Sequence, residues 1–144
     1  MSLVVNKKAT FDYALLESIE AGVELLGTEA KSVRAKHGSL SGAYVAILSG
    51  EVYLLGAHIP AWQERNVATT YDPYRSRKLL LNKKEIMTLE KALHTKGLTV
   101  IPISLYSKGR YIKAQIAIAK GKKNFDKRDV LKKKDLDREA RRGE

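Results

Sequence analysis

The cleanest alternation of apolar and polar positions lies late in the chain, in "YIKAQIAIA" (111–119). Ile112, Ala114, Ile116 and Ile118 fall on one side, with Tyr111, Lys113 and Gln115 on the other. That period predicts a strand with one buried face and one face able to meet a ligand. Just before it, "LTVIPISLY" (98–106) reads as a second strand, joined to it by the turn "SKGR". "AYVAILSGEVYLLGAHI" (43–59) predicts a hairpin of two apolar strands turning at Ser49-Gly50-Glu51, where glycine permits positive φ. "FDYALLESIEAGVELLG" (11–27) mixes β-formers with charges around Gly22, which suggests a strand, a bend and a short strand.

Two stretches carry a helical period instead. "NKKEIMTLEKALHTKG" (82–97) places Ile86, Leu89 and Leu93 on one face. Asn82 and Glu85 have the spacing of a capping box, and Gly97 stands where a C-terminal cap belongs. "TEAKSVRAK" (28–36) predicts a short helix capped by Thr28, with Glu29 at the positive end of its dipole. Pro60 to Arg77 shows little periodicity, and Asp72-Pro73 marks a turn there. Five or six mostly antiparallel strands with two or three inserted helices imply an α+β domain, mainly β, built round a small barrel.

Composition narrows the functions open to such a domain. The 144 residues suffice for one domain with a hydrophobic core. The absence of cysteine excludes disulfides, thiolate metal sites and a cysteine nucleophile. No apolar run approaches the roughly 18 residues of a membrane span, and "MSLVVNKKATFDY" lacks the apolar core of a signal peptide, so the expected location is the cytoplasm, with no membrane partner. Lys and Arg number 27 against 16 Asp and Glu, a formal net charge of +11. Residues 120–144 hold 11 of those basic side chains and 6 of the acidic ones, a net of +5. That excess favours a polyanionic partner, because each neutralised phosphate releases condensed counterions.

No catalytic constellation is present. His37, His58 and His94 are far apart, without metal-ligand spacing, so no metal or cofactor is called for. "GVELLGTE" (22–29) has two glycines at phosphate-loop spacing, but Thr28-Glu29 replaces the required Lys-Ser/Thr and the carboxylate would repel phosphate. Three basic clusters remain: Lys7-Lys8; Arg75, Arg77 and Lys78 beside Tyr71 and Tyr74; and Lys120, Lys122, Lys123, Lys127 and Arg128 round Phe125. Cations that meet phosphate, interleaved with rings that stack on unpaired bases, point to RNA or DNA.

Four segments, in order and at matching spacing, carry a family resemblance: "NKKATFDY" (6–13), "EAGVELLGTEAKSVRA" (20–35), "DPYRSRKLLLNKKEI" (72–86) and "AKGKKNFDKR" (119–128). The chain resembles the small protein B family of bacterial tmRNA-binding proteins, from about Asn6 to Arg128. The resemblance implies an antiparallel barrel of the oligonucleotide-binding type over residues 1–120 and a basic C-terminal tail over 121–144. It also implies an adaptor, not an enzyme. Such proteins bind the tRNA-like domain of tmRNA, promote its charging and deliver it to stalled ribosomes. The implied partners are tmRNA and the 70S ribosome at the rRNA of the decoding region, with alanyl-tRNA synthetase and elongation factor Tu engaged indirectly through tmRNA.

Carried over by motif, the RNA-binding positions are Asn6, Lys7, Glu20, Lys78, Leu80 and Lys113. Lys31 and Arg34, three apart on one helical face, join them, as do Arg75 and Arg77 of the second cluster. On pattern alone Leu80, in "KLLL", reads as core and Lys113 as solvent-exposed; the resemblance moves both to the interface. Glu20 is the odd member for a polyanion binder, either accepting from base amino groups or holding a neighbouring lysine.

The resemblance makes the tail the ribosome-binding element, disordered when free and helical on the ribosome. Its positions are Gly121, Lys122, Lys123, Phe125, Asp126, Lys127, Arg128, Lys132, Lys133 and Lys134. Asp126 to Arg142 contains no Pro or Gly, yet Val130, Leu131 and Leu136 form too thin an apolar stripe to fold a helix alone. The chain departs from the family at Ala30, usually a larger aliphatic, and at Phe125, often Tyr or His. Acidic Asp135, Asp137 and Glu139 interrupt the 16 residues after Arg128, a short tail for this family. A general single-stranded nucleic-acid binder on the same barrel is the alternative, with Tyr44, Tyr53 and Tyr111 as its stacking candidates.

Overall fold

The computed structural model describes residues 2–62 and 70–121. Seven strands and three helices follow in the order β1 (Ser2–Val5), α1 (Ala9–Asp12), β2 (Tyr13–Val23), α2 (Gly27–Arg34), β3 (Tyr44–Leu48), β4 (Glu51–Leu55), β5 (Arg77–Leu80), α3 (Lys83–Leu93), β6 (Leu98–Lys108) and β7 (Tyr111–Gly121). All strand pairs are antiparallel, in the spatial order β1-β6-β7-β2-β5-β4-β3. At one edge β3 comes back against β6, so the sheet curls into an oligonucleotide-binding-type barrel.

Alternation fills that barrel. Val45, Val52, Leu54, Leu79, Val100, Leu105, Ile112, Ala114 and Ile116 all point into one buried cluster. Helix α3 adds Leu89 and Ala92 to it, with Ile86 and Leu93 packed at the margin, as its period predicted. Its capping box forms in full: the Glu85 N–H donates to Asn82 Oδ1 at 2.8 Å, and the Asn82 N–H donates to Glu85 Oε1 at 3.0 Å. The β3–β4 hairpin turns on Ser49 and Gly50, at φ 52° and 78°, the pair of positive values that matches the twist of a two-residue hairpin. Asp72 also behaves as expected, its carboxylate accepting from the Tyr74 N–H at 2.8 Å.

Four local expectations need correction. Ala9–Asp12 forms a helical turn, so the strand predicted from Phe11 starts at Tyr13. No bend occurs at Gly22; β2 runs straight through it, paired on both sides. Thr28 lies inside α2 and does not cap it; Glu29 does, accepting from the Leu26 N–H at 2.8 Å. Helix α3 ends at Leu93, and Gly97, at φ 86°, belongs to the turn that follows. Four strands exceed expectation: β1 and β5 were not anticipated, β6 continues to Lys108 and β7 to Gly121. Among the described residues no helix is long and apolar enough to cross a membrane.

Candidate nucleic-acid interface

Strand register sets the main surface. Across the sheet, Leu80 of β5 pairs with Gly22 of β2, Gly22 with Lys113 of β7, and Lys113 with Tyr106 of β6. Glycine in the middle of this row lets its neighbours approach closely. A Cβ there would stand 3.3 Å from the Leu80 Cβ and 3.6 Å from Lys113 Nζ. Leu80 is 49% exposed, so it faces out of the barrel while Leu79 fills it. Lys113 lies half-buried with its ammonium 5.9 Å from the Tyr111 ring centroid, a cation–π contact, and makes no ion pair among the described residues. Tyr111 itself is 70% exposed.

Glu20 reaches this row from β2. Its backbone pairs with Gln115, and its carboxylate extends across β7 to two partners on β6. The Tyr106 hydroxyl donates to Oε2, and Lys108 Nζ donates to Oε1 at 3.1 Å. The Tyr106 and Lys108 hydrogen bonds hold the Glu20 carboxyl below its usual range, with Lys113 adding to the effect. Burial and the Glu20 carboxylate push the Tyr106 hydroxyl up to about 12.

Lys78, two residues before Leu80 on β5, pairs with Glu51 at 3.2 Å, and the Tyr53 hydroxyl donates to the same carboxylate at 2.7 Å. The Glu51 contact raises the Lys78 ammonium, so it stays charged. Lys78, Tyr53, Leu26 and Arg75 border one recess of about 540 Å³. Of the three tyrosines proposed for stacking, Tyr53 is therefore held by Glu51, while Tyr44 and Tyr111 stand exposed.

Arg77 requires a correction. Its side chain has no exposed surface, so it cannot meet RNA as expected. Nη2 lies 2.6 Å from Glu29 Oε2 and also donates to the Pro73 carbonyl and the Tyr71 hydroxyl, while Nη1 donates to the Ala57 carbonyl at 2.7 Å. Arg75 grips the other side of the same carboxylate with Nε and Nη2 and is partly exposed. Tyr71 closes the knot, its one hydroxyl proton lying between two acceptors, Glu29 Oε2 at 3.0 Å and the Ile59 carbonyl at 2.6 Å. Burial opposes ionisation of Glu29, but Arg75, the Leu26 N–H and Arg77 together outweigh it and lower its pKa. The phosphate-repelling carboxylate of the sequence is thus the anchor that ties α2 to the segment before β5.

The remaining candidates fall in two places. Arg34 donates to the Arg110 carbonyl at 2.8 Å, which brings the end of α2 to the turn that opens β7, beside Tyr111. Lys31 is exposed on the same helix. Asn6 lies beside the middle of β6, its Nδ2 donating to the Pro102 carbonyl at 2.9 Å, with exposed Lys7 next to it. Asn6 and Tyr13 border a shared recess of about 300 Å³, and Tyr13 pairs with Gly121 at the end of β7. Lys122, Lys123, Phe125, Asp126, Lys127, Arg128, Lys132, Lys133 and Lys134 lie outside the described residues. Tyr106 and Lys108 were missed by the sequence reading. Their signal was the extra alternation in "SLYSK", which puts both on one side of a longer β6.

Comparison with known proteins agrees over nearly the whole chain. The family model described as "SmpB protein" matches residues 3–143. An SsrA-binding protein of Lactobacillus delbrueckii subsp. bulgaricus is 46% identical over 140 residues, which cover 97% of this chain and 91% of the relative. The SsrA-binding protein of Prochlorococcus marinus (strain MIT 9515) is 48% identical over 139 residues, covering 96% of this chain and 84% of the relative. A solved chain from "tmRNA-SmpB: a journey to the center of the bacterial ribosome" superposes with a TM-score of 0.70 at 39% identity, covering 83% of this chain and 84% of that one. With its barrel and its sequence matched together, this chain belongs to the SmpB protein family.

Proposed function

We propose that this chain is the tmRNA-binding adaptor of trans-translation: it holds the tRNA-like domain of tmRNA on the outer face of its barrel and takes it to stalled ribosomes in the cytoplasm. The carrying observation is the cross-strand row, where exposed Leu80 and Lys113, which makes no ion pair among the described residues, flank a glycine on a surface fixed by the sheet. Leucine offers apolar contact to a base or ribose, and lysine offers charge to phosphate. Lys78 and Arg34 extend the cationic surface at either side, and Arg75 borders the adjoining recess. The adaptor reading assigns no reaction to the chain.

Fluorescence anisotropy with the full chain tests the proposal. A tRNA-like tmRNA fragment should bind more tightly than an unrelated hairpin or poly-U at matched salt. The logarithm of its affinity should fall linearly with the logarithm of salt concentration. Equal binding of all three RNAs would overturn the adaptor reading in favour of a general nucleic-acid binder.

A further inference from the structure

We propose that Tyr106 and Lys108 are part of the RNA-binding surface, and that Glu20 is a positioning residue which aims them. This rests on the adaptor reading and assigns Glu20 a role through its neighbours.

Three observations lead there. First, both Glu20 carboxylate oxygens are engaged within the chain, Oε2 by Tyr106 and Oε1 by Lys108. Secondly, the Lys108 side chain is 65% exposed against 41% for Glu20, so Lys108 is the more open member of the pair. An approaching phosphate finds the lysine the more accessible of the two. Lys108 spends one N–H on Glu20 and keeps two donors for that phosphate. Thirdly, Tyr106 pairs in register with Lys113, which places its ring at the end of the Leu80–Gly22–Lys113 row.

Tyr106 then has a defined chemistry. Its proton is committed to Glu20, so its hydroxyl oxygen faces RNA as an acceptor only. A ribose 2′-hydroxyl or an exocyclic amino group satisfies it; a phosphate does not. The cluster therefore offers a cation for the backbone and a directed acceptor for sugar or base. A carboxylate in the middle of a polyanion-binding face fits this arrangement, because it orients both groups while its own charge is offset by Lys108.

Equilibrium binding of the full chain to the tRNA-like fragment, measured across a salt series, tests this. Lys108→Gln should weaken binding about threefold to tenfold and reduce the slope of log affinity against log salt by about one. Tyr106→Phe should weaken binding by about the same factor and leave that slope unchanged. Glu20→Gln combined with Tyr106→Phe should lose little more than the worse single variant, since both act through one contact. Normal affinity and slope in Lys108→Gln would overturn the assignment of Lys108. Fully additive losses in the Glu20/Tyr106 pair would place Glu20 on the RNA itself and overturn the positioning role. Tyrosinate absorbance of the free variants reports the contact without RNA: Glu20→Gln should lower the high Tyr106 titration, and an unchanged titration would show that the contact does not form. If the unsubstituted chain fails to prefer the tRNA-like fragment, the adaptor reading fails instead.

Discussion

Arg77 and Leu80, three residues apart on one short strand, show how poorly a residue's type reports its surroundings. Arginine faces inwards and leucine outwards. The reason is long-range: Arg77 finds Glu29, 48 positions earlier, and a buried guanidinium is tolerated only when such a partner and several carbonyls satisfy it. Nothing local in "SRKLLL" announces that partner, so the segment alone allows either orientation. Arg77→Met leaves a buried carboxylate with half its support and should cost about 3–5 kcal/mol in urea unfolding. Adding Glu29→Leu should restore part of that loss, since the orphaned charge goes too. The same pair predicts a pH dependence. Glu29 titrates below its ordinary 4.5 in the folded chain, so its stabilisation is complete above that value and disappears as pH falls through the lower folded pKa. Glu29→Gln should therefore flatten the stability profile below about pH 5, and an unchanged acid limb would refute the assignment.

Elements whose signals are local could be read directly. Asn82 and Glu85 lie three residues apart, and their reciprocal hydrogen bonds form as the spacing requires. Asn82→Ala should cost about 1 kcal/mol, seen as a lower melting temperature with RNA affinity retained. A change in RNA affinity at unchanged stability would assign Asn82 to the interface instead. The two-residue hairpin at Ser49-Gly50 was legible for the same reason. Elements that depend on tertiary packing were not. Gly22 reads as a strand breaker by propensity, yet here it is the close-approach point between Leu80 and Lys113. Ala9–Asp12 is one helical turn, with Ala9 buried against Ile101 and Ala119, contacts from strands about a hundred residues away. The missing cap at Thr28 follows from Glu29 serving both the Leu26 N–H and two arginines.

At the scale of the molecule, barrel closure and strand order join distant segments, and periodicity carries no record of either. The ordered family motifs supplied that information, while the alternation supplied the inner and outer faces of β7. Charge also needs the whole chain to be interpreted. Residues 129–144 contain six Lys or Arg and five Asp or Glu, a net of only one positive charge. Residues 120–128 contain five basic side chains and one acidic one, a net of four. Deleting 129–144 should therefore leave both the affinity for the tRNA-like fragment and its salt slope nearly unchanged, while abolishing tagging on stalled ribosomes. Parallel losses in the binding and tagging assays would refute that division of labour.

Strand β7 carries Lys113 near its start and pairs its last residue, Gly121, with Tyr13. Eight residues of extended chain separate the two, about 26 Å at the usual rise per residue. The strand is thus a ruler: it sets how far its last residue, Gly121, stands from the tRNA-like cargo. Inserting two residues into β7 would lengthen that measure by about 7 Å while keeping each side chain on its face; inserting one would turn the faces over. A chain with the two-residue insert that still bound RNA yet misplaced its cargo on the ribosome would reveal how finely the two grips must be spaced.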